Sequence, residues 1–274
     1  MKLLHAVGLV LTCGALQAAV AAEPAADVTT ALQKAVAGAH RSAENSARDK
    51  YRHPVETLSF FGIRPDMTVV EISPGGGGWY TEILAPFLRA QGKLIAANYD
   101  ASSDVEYYRV NAAKYLDKLK ARPDLYDRVD VIEFAPPKKS ELAPAGSVDM
   151  VVTFRNVHNW IEAGNEQQVF AAMFKALKPG GILGLVEHRG KPGMVGKEWA
   201  MKGYVAEAET VRLAAQAGFK LVERSEINAN PKDTKDYPKG VWTLPPTLEE
   251  GDKDREKYLS IGESDRMTLK FVKP

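Results

Sequence analysis

The sequence predicts an α/β fold built on a mostly parallel sheet with helices on both faces. Three observations lead there. Short apolar runs alternate with helical stretches, a glycine-rich turn joins the first such run to its helix, and a last apolar run closes the chain. The 274 residues are 45% hydrophobic and 26% charged, which suits one domain able to bury its own core.

The run Thr68–Ile72 reads as the first buried strand. Before it, Pro54 is placed to open a helix through Phe61, which Gly62 ends. Upstream, Asp27–Arg48 has apolar residues at helical spacing, and residues 23–26 read as a linker. Downstream, helices are expected over Trp79–Arg89, Val105–Ala121, Glu166–Leu177 and Tyr204–Ala217. Strands are expected over Lys93–Asn98, Val129–Phe134, Val148–Phe154, Ile182–Glu187, Phe219–Ile227 and Met267–Val272. The stretch from Asn228 to Asp265 carries four prolines and little periodicity, and is far longer than a usual connection.

The first residues read as a secretory signal: Lys2, an apolar stretch from Leu3 to Leu16, and the small residues Val20-Ala21-Ala22 at a cleavage site. The apolar run falls short of the roughly 20 residues a spanning helix needs. Removal of residues 1–22 leaves 252 of the 274 and implies an exported, periplasmic protein. Residues 23–50 then form an N-terminal linker and helix, and residues 51–274 the main domain, with a lid-like insertion at 228–265. The one cysteine, Cys13, lies inside the signal, so no disulfide and no thiol nucleophile is expected afterwards. Thr12 is bulky for a lipoprotein cleavage site, and lipidation is not expected. Without Lys2 the 35 remaining Lys and Arg balance 35 Asp and Glu, which gives no reason to expect nucleic-acid binding.

Glu71-Ile72-Ser73-Pro74-Gly75-Gly76-Gly77-Gly78 lies between a strand and a helix, at the carboxyl end of that strand, where open α/β sheets bind ligands. Its glycines let a ligand lie against the main chain. The segment resembles the acidic-x-Gly-x-Gly-x-Gly signature of class I S-adenosylmethionine (SAM)-dependent methyltransferases: Glu71, Gly75 and Gly77 match, and Ser73 stands at the first glycine. Leu177-Lys178-Pro179-Gly180-Gly181 before a strand, and Ala217-Gly218-Phe219 before the sixth strand, are similar to later marks of that family. The likeness covers roughly Tyr51 to Pro274. With Tyr51–Leu58, the Gly240–Pro246 block and the signal, the chain most resembles an exported bacterial branch known as predicted methyltransferases. A Rossmann dehydrogenase would need Gly-x-Gly-x-x-Gly, and Tyr80 stands at the third glycine.

The resemblance implies a Rossmann-like class I fold, with a seven-stranded sheet whose last strand is antiparallel. It implies SAM as cofactor, held by Glu71, Ser73, Gly75, Gly76 and Gly77, with Arg52 on the methionine carboxylate. Asn98 aligns with the usual acidic ribose partner, with Asp100 two residues on. No acidic residue follows the third strand to face the adenine amine, because Phe134 runs into Ala135-Pro136-Pro137. His158-Asn159-Trp160 is similar to the His-Asp-Trp of small-molecule O-methyltransferases, and Phe154-Arg155-Asn156-Val157 to a segment of quinone-pathway enzymes. His158 is therefore the expected general base, and His53, Arg155, Asn156, Asn159, Trp160 and Trp242 the expected acceptor contacts. The partner is a small-molecule acceptor, with O-methylation favoured. The alternative is an exported binding protein that keeps the fold without catalysis. The three histidines His53, His158 and His188 and the nearby Glu187 include no two histidines at a ligand-like local spacing, so no metal site is expected. Val241-Trp242-Thr243-Leu244 is expected to fold over the acceptor pocket as a flap.

Overall fold

The computed structural model describes residues 25–274, and the expected signal segment lies outside them. Four helices precede the sheet: α1 Ala25–Val36, α2 Ala43–Ser46, α3 Asp49–Arg52 and α4 Pro54–Phe61. Then come β1 Thr68–Ile72, α5 Thr81–Leu88, β2 Lys93–Asn98, α6 Glu106–Ala121, α7 Pro123–Tyr126, β3 Val129–Glu133 and β4 Val148–Phe154. The second half holds α8 Val157–Ala163, α9 Glu166–Ala176, β5 Leu177–Gly190, α10 Lys197–Ala200, β6 Val205–Ala206, α11 Glu207–Gln216 and β7 Lys220–Ser225. A 3₁₀ turn at Gly240–Thr243, α12 Arg255–Ile261 and β8 Arg266–Val272 complete it.

The sheet runs β3-β2-β1-β4-β5-β8-β7, with the short β6 paired to β5 off this path. Strands β1 to β5 are parallel to one another, and β8 is antiparallel to both β5 and β7. The seven-stranded path is as the sequence predicts, and β6 is an addition. It forms where Tyr204 was expected to begin a helix, because Arg189 and Gly190 offer Val205 and Ala206 a parallel edge. The sixth strand of the path, β7, points the same way as β1 to β5, yet its sheet neighbour is the antiparallel β8.

Pleating explains the two cores, since successive strand side chains leave opposite faces. Val69, Leu94, Met150 and Val152 pack with Leu58, Phe61, Ile83 and Leu84 on one face. Val70, Ile95, Val151 and Leu183 pack with Phe170, Met173 and Leu213 on the other. The single N-terminal helix expected to reach Arg48 ends instead at Val36, two residues before Gly38. The chain restarts at Ser42, whose hydroxyl accepts from the Asn45 amide at 3.1 Å. Pro54 and Gly62 do bound α4, with Gly62 in the left-handed region at φ 81°.

The connection between β7 and β8 is ordered by buried polar anchors. Asn228 donates to the hydroxyls of Thr57 (3.0 Å) and Thr268 (2.9 Å), while Asp233 accepts from Tyr204 (2.9 Å) and the Asp265 amide (2.8 Å). Among the described residues no helix is long and apolar enough to cross a membrane.

Candidate active site

Going from β1 the chain builds β2 and β3 on one side, then crosses to β4 on the other, so the order reverses between β1 and β4. A crevice opens there, at the carboxyl ends of the strands, as such reversals dictate. Its main lobe measures about 650 Å³, within the range of a small-molecule site. An inner lobe of about 170 Å³ joins it, with Ser73, Tyr99, Tyr108, Asn156 and Asn159 lining both.

The β1 turn forms one wall. Ser73 (φ 47°) and Gly75 (φ 71°) are left-handed, and an added Cβ at Gly75 would meet nothing within 4 Å. The main chain here is open to a ligand. Gly76 and Gly77 do not line the cleft, contrary to the expectation for them. The Gly76 amide donates to Asn111 Oδ1 at 3.1 Å, an added Cβ would strike that oxygen at 2.7 Å, and Gly77 is exposed. Helix α6, packed behind the turn, claims this half of it. Glu71 is buried beneath, with Oε2 accepting from the Thr81 hydroxyl at 2.6 Å. Burial pushes its carboxyl up to about 7, against the opposing pull of that hydrogen bond.

Asn98 is also turned away: its amide donates to Ala112 O at 3.3 Å and its oxygen accepts from the Tyr99 amide at 2.9 Å. Both side-chain functions are used locally, so a ribose would find Asp100 instead. Asp100 lines the inner lobe, and its bonds from Lys139 and Ser102 hold its carboxyl down to about 2. The rest of that lobe is an apolar slot with Phe134, Trp160 and Val169. Asn165, which sequence reasoning passed over, completes it. Its amide nitrogen donates to Pro136 O at 3.4 Å, which fixes the amide orientation and leaves a buried Oδ1 with no partner.

The second wall comes from β4 and β5. Phe154 pairs with Val186 in parallel register, so Arg155–His158 and Glu187–His188 emerge side by side. His158 Nδ1 lies 3.0 Å from Glu187 Oε1, and the His158 amide donates to Oε2 at 3.2 Å. The His188 amide donates to the same Oε1 at 2.7 Å. Glu187 thus fixes the orientation of the His158 ring. Because the carboxylate accepts, Nδ1 donates, which leaves Nε2 as the ring nitrogen not engaged by Glu187. Asn156 braces the wall by donating to Ile72 O (3.0 Å) and Thr153 Oγ1 (3.1 Å).

His158, Glu187 and His188 converge within 4.8 Å, which their sequence spacing hides. Their Nδ1 and carboxylate positions are already committed, with His188 Nδ1 held 2.5 Å from Ser264 Oγ. Burial, then His158 and the nearby arginines, hold His188 well below the ordinary histidine range, and that cationic surrounding disfavours a metal ion. The Trp242 indole lies over both imidazoles, at 5.7 Å from His158 and 6.3 Å from His188 between ring centroids. The Nε2 atoms of both histidines are sealed from solvent without partners.

Arg52 lines the cleft at 3% exposure, with Nε 3.5 Å from Glu263 Oε2, Nη2 unpartnered and its guanidinium 4.6 Å from the Trp79 ring centre. His53 does not reach the cleft. It sits at φ 40° between α3 and α4, and its Nδ1 lies 3.4 Å from Asn228 Oδ1 on another surface. Trp160 lines the inner lobe alone, where it packs edge-to-face on Phe170.

No family model and no curated protein sequence matches the chain. Solved structures do match in fold. A SAM-dependent methyltransferase from Aquifex aeolicus aligns over 90% of this chain and 98% of its own, at 15% identity and TM-score 0.52. One from Methanosarcina mazei aligns over 79% and 96%, at 13% identity and TM-score 0.52. The [4+2]-cyclase SpnF aligns over 90% and 94%, at 17% identity and TM-score 0.55, so the same fold also carries other chemistry. The chain has the mixed, mostly parallel sheet of the SAM-dependent methyltransferase fold.

Proposed function

We infer that the protein is a SAM-dependent methyltransferase acting on an oxygen of a small-molecule acceptor, with His158 as general base. The observation that carries this reading is the His158–Glu187 pair beside an open glycine turn, both on one cleft.

The cleft fits SAM. Arg52 keeps Nη2 without a partner for the methionine carboxylate, and Gly75 leaves the main chain bare. Asp100 is the acidic group nearest in sequence to β2 that lines the cleft, and it suits a ribose hydroxyl. The apolar slot suits adenine, whose exocyclic amine would satisfy the orphaned Asn165 Oδ1.

SAM supplies an electrophilic methyl group on a sulfonium, whose bonding pair stays with sulfur on transfer. What the protein adds is alignment and proton handling. Entry of the acceptor displaces Trp242 from the otherwise sealed His158 Nε2, which takes the hydroxyl proton, and Glu187 holds Nδ1–H in place and stabilises the resulting imidazolium. Trp242 excludes water over the histidines.

The test is a screen of hydroxylated small molecules for S-adenosylhomocysteine (SAH) release, followed by His158→Ala and Glu187→Gln with the best acceptor. His158→Ala should lower turnover by roughly 100-fold or more, and Glu187→Gln by roughly tenfold or more, with SAH affinity nearly unchanged. Turnover preserved in His158→Ala removes the base from this reading.

A further inference from the structure

Arg52 and Arg155 line the cleft together with Glu71, Glu162 and Glu249, and behind Arg155 arginines outnumber the carboxylates near them. Glu263 is the shared partner of three arginines: Arg48 at 2.5 Å, Arg52 at 3.5 Å, and Arg266 in a close ion pair. These groups drive the Glu263 carboxyl far below its usual range despite burial. Arg48 Nη2, Arg52 Nη2 and Arg266 Nε are nonetheless buried without an acceptor. The next carboxylate, Glu187, is taken up by His158 and His188.

Arg155 adds a fourth cation, and its side chain has no hydrogen bond or ion pair among the described residues. It follows β4 directly, in the left-handed region at φ 62°, an uncommon conformation for a residue with a long side chain. Its amide donates to Val186 O at 2.7 Å, which fixes the backbone, and its side chain lines the cleft three residues from His158. Burial, with Arg266 and Arg48, lowers its guanidinium to about 10, while Glu263 and Glu187 oppose. The half-buried guanidinium stays charged at neutral pH with no counter-ion in contact.

The methionine carboxylate of SAM would satisfy one guanidinium, and Arg52 is the buried one with a free donor on the cleft. The sulfonium and ammonium of the same molecule add two positive charges, which deepens the local excess. An acceptor with its own negative charge relieves that excess. It would also place an anion beside the sulfonium.

We propose that Arg155 is the docking point for an oxyanion of the methyl acceptor, so the substrate is a small organic acid bearing a carboxylate or phosphate besides its nucleophilic hydroxyl. This rests on the methyltransferase reading. Arg155 would act here as a specificity determinant, since its planar fork matches either oxyanion in bidentate fashion. No reacting atom needs to touch it.

The experiment is a calorimetric titration of the protein saturated with SAH, using benzoate, phenyl phosphate and inorganic phosphate, with benzamide as the neutral match for benzoate. The expected result is that an anion binds in the presence of SAH at least about tenfold more tightly than benzamide. Tighter binding of benzoate identifies a carboxylic acid as acceptor, and tighter binding of the phosphates a phosphate ester. Arg155→Gln should remove that preference and leave SAH affinity within about threefold, while Arg155→Lys keeps part of it. SAH affinity also reports that each variant is folded. Three results overturn the proposal: no anion binds the SAH-loaded protein, benzamide binds as well as benzoate, or Arg155→Gln loses SAH instead of the anion. Failure of SAH itself to bind would sink the methyltransferase reading. The same anion titration without SAH, on wild type and Arg155→Gln, would then still decide whether Arg155 holds an oxyanion.

Discussion

Glu71 offers a test of the site's electrostatics that needs no substrate. The carboxyl is buried at 2% exposure under the β1 turn, and its proton is held to about 7 against an ordinary 4.5. The native state therefore keeps this proton over a range where the unfolded chain has released it. Stability then falls as pH rises from about 4.5 to about 7 and is level outside that window, the reverse of an ion-paired carboxylate. At about 1.4 kcal/mol per pH unit, the part of this window between pH 5 and pH 7.5 corresponds to about 2 kcal/mol. Glu71→Gln removes the titration but keeps an oxygen for the Thr81 hydroxyl. Urea unfolding of both proteins near those two pH values should show the variant gaining on wild type by about 2 kcal/mol at the higher pH. A gap that stays constant, or that narrows as pH rises, would refute the buried neutral carboxyl.

Gly75→Val should abolish SAH binding and cost roughly 1–2 kcal/mol of stability, because a branched residue must enter the left-handed region inside the cleft. Gly77→Val, at an exposed position clear of other atoms, should leave affinity unchanged; calorimetry on the pair separates the two. Trp242→Ala should cost about 2 kcal/mol from a half-buried indole. The same change should speed modification of His158 and His188 by diethyl pyrocarbonate severalfold, read by mass spectrometry, and an unchanged rate would mean that Trp242 does not seal them.

The sheet was legible where local signals are strong. Thr68–Ile72 and Val148–Phe154 are mainly apolar runs, each interrupted by one carboxylate, and both form strands at those bounds. Pro54 and Gly62 bracket α4 because each acts on its own backbone. What eluded the sequence depends on packing at a distance. Glu187 becomes the His158 partner because β4 and β5 lie in parallel register, bringing together residues 29 positions apart. The available signal was that both segments end strands at the same edge of one sheet. Gly76 and Asn98 look like cofactor contacts by alignment, yet Asn111 and Ala112 on α6 claim their polar atoms. Asn165 carries no pattern of its own, and only the inner lobe shows that its oxygen lacks a partner. Trp242 follows a run with little periodicity, and buried side chains such as Asn228 and Asp233 anchor that segment across the fold.

The account stands on the claim that the cleft between β1 and β4 binds SAM. Isothermal titration of the purified protein with SAM and with SAH measures this directly, alongside Arg52→Gln. The predicted result is one site per chain with a dissociation constant in the micromolar range, about −8 kcal/mol, weakened about tenfold or more in the variant. Absence of binding by either ligand to the folded protein at high micromolar concentration, or affinity indifferent to Arg52, would contradict it.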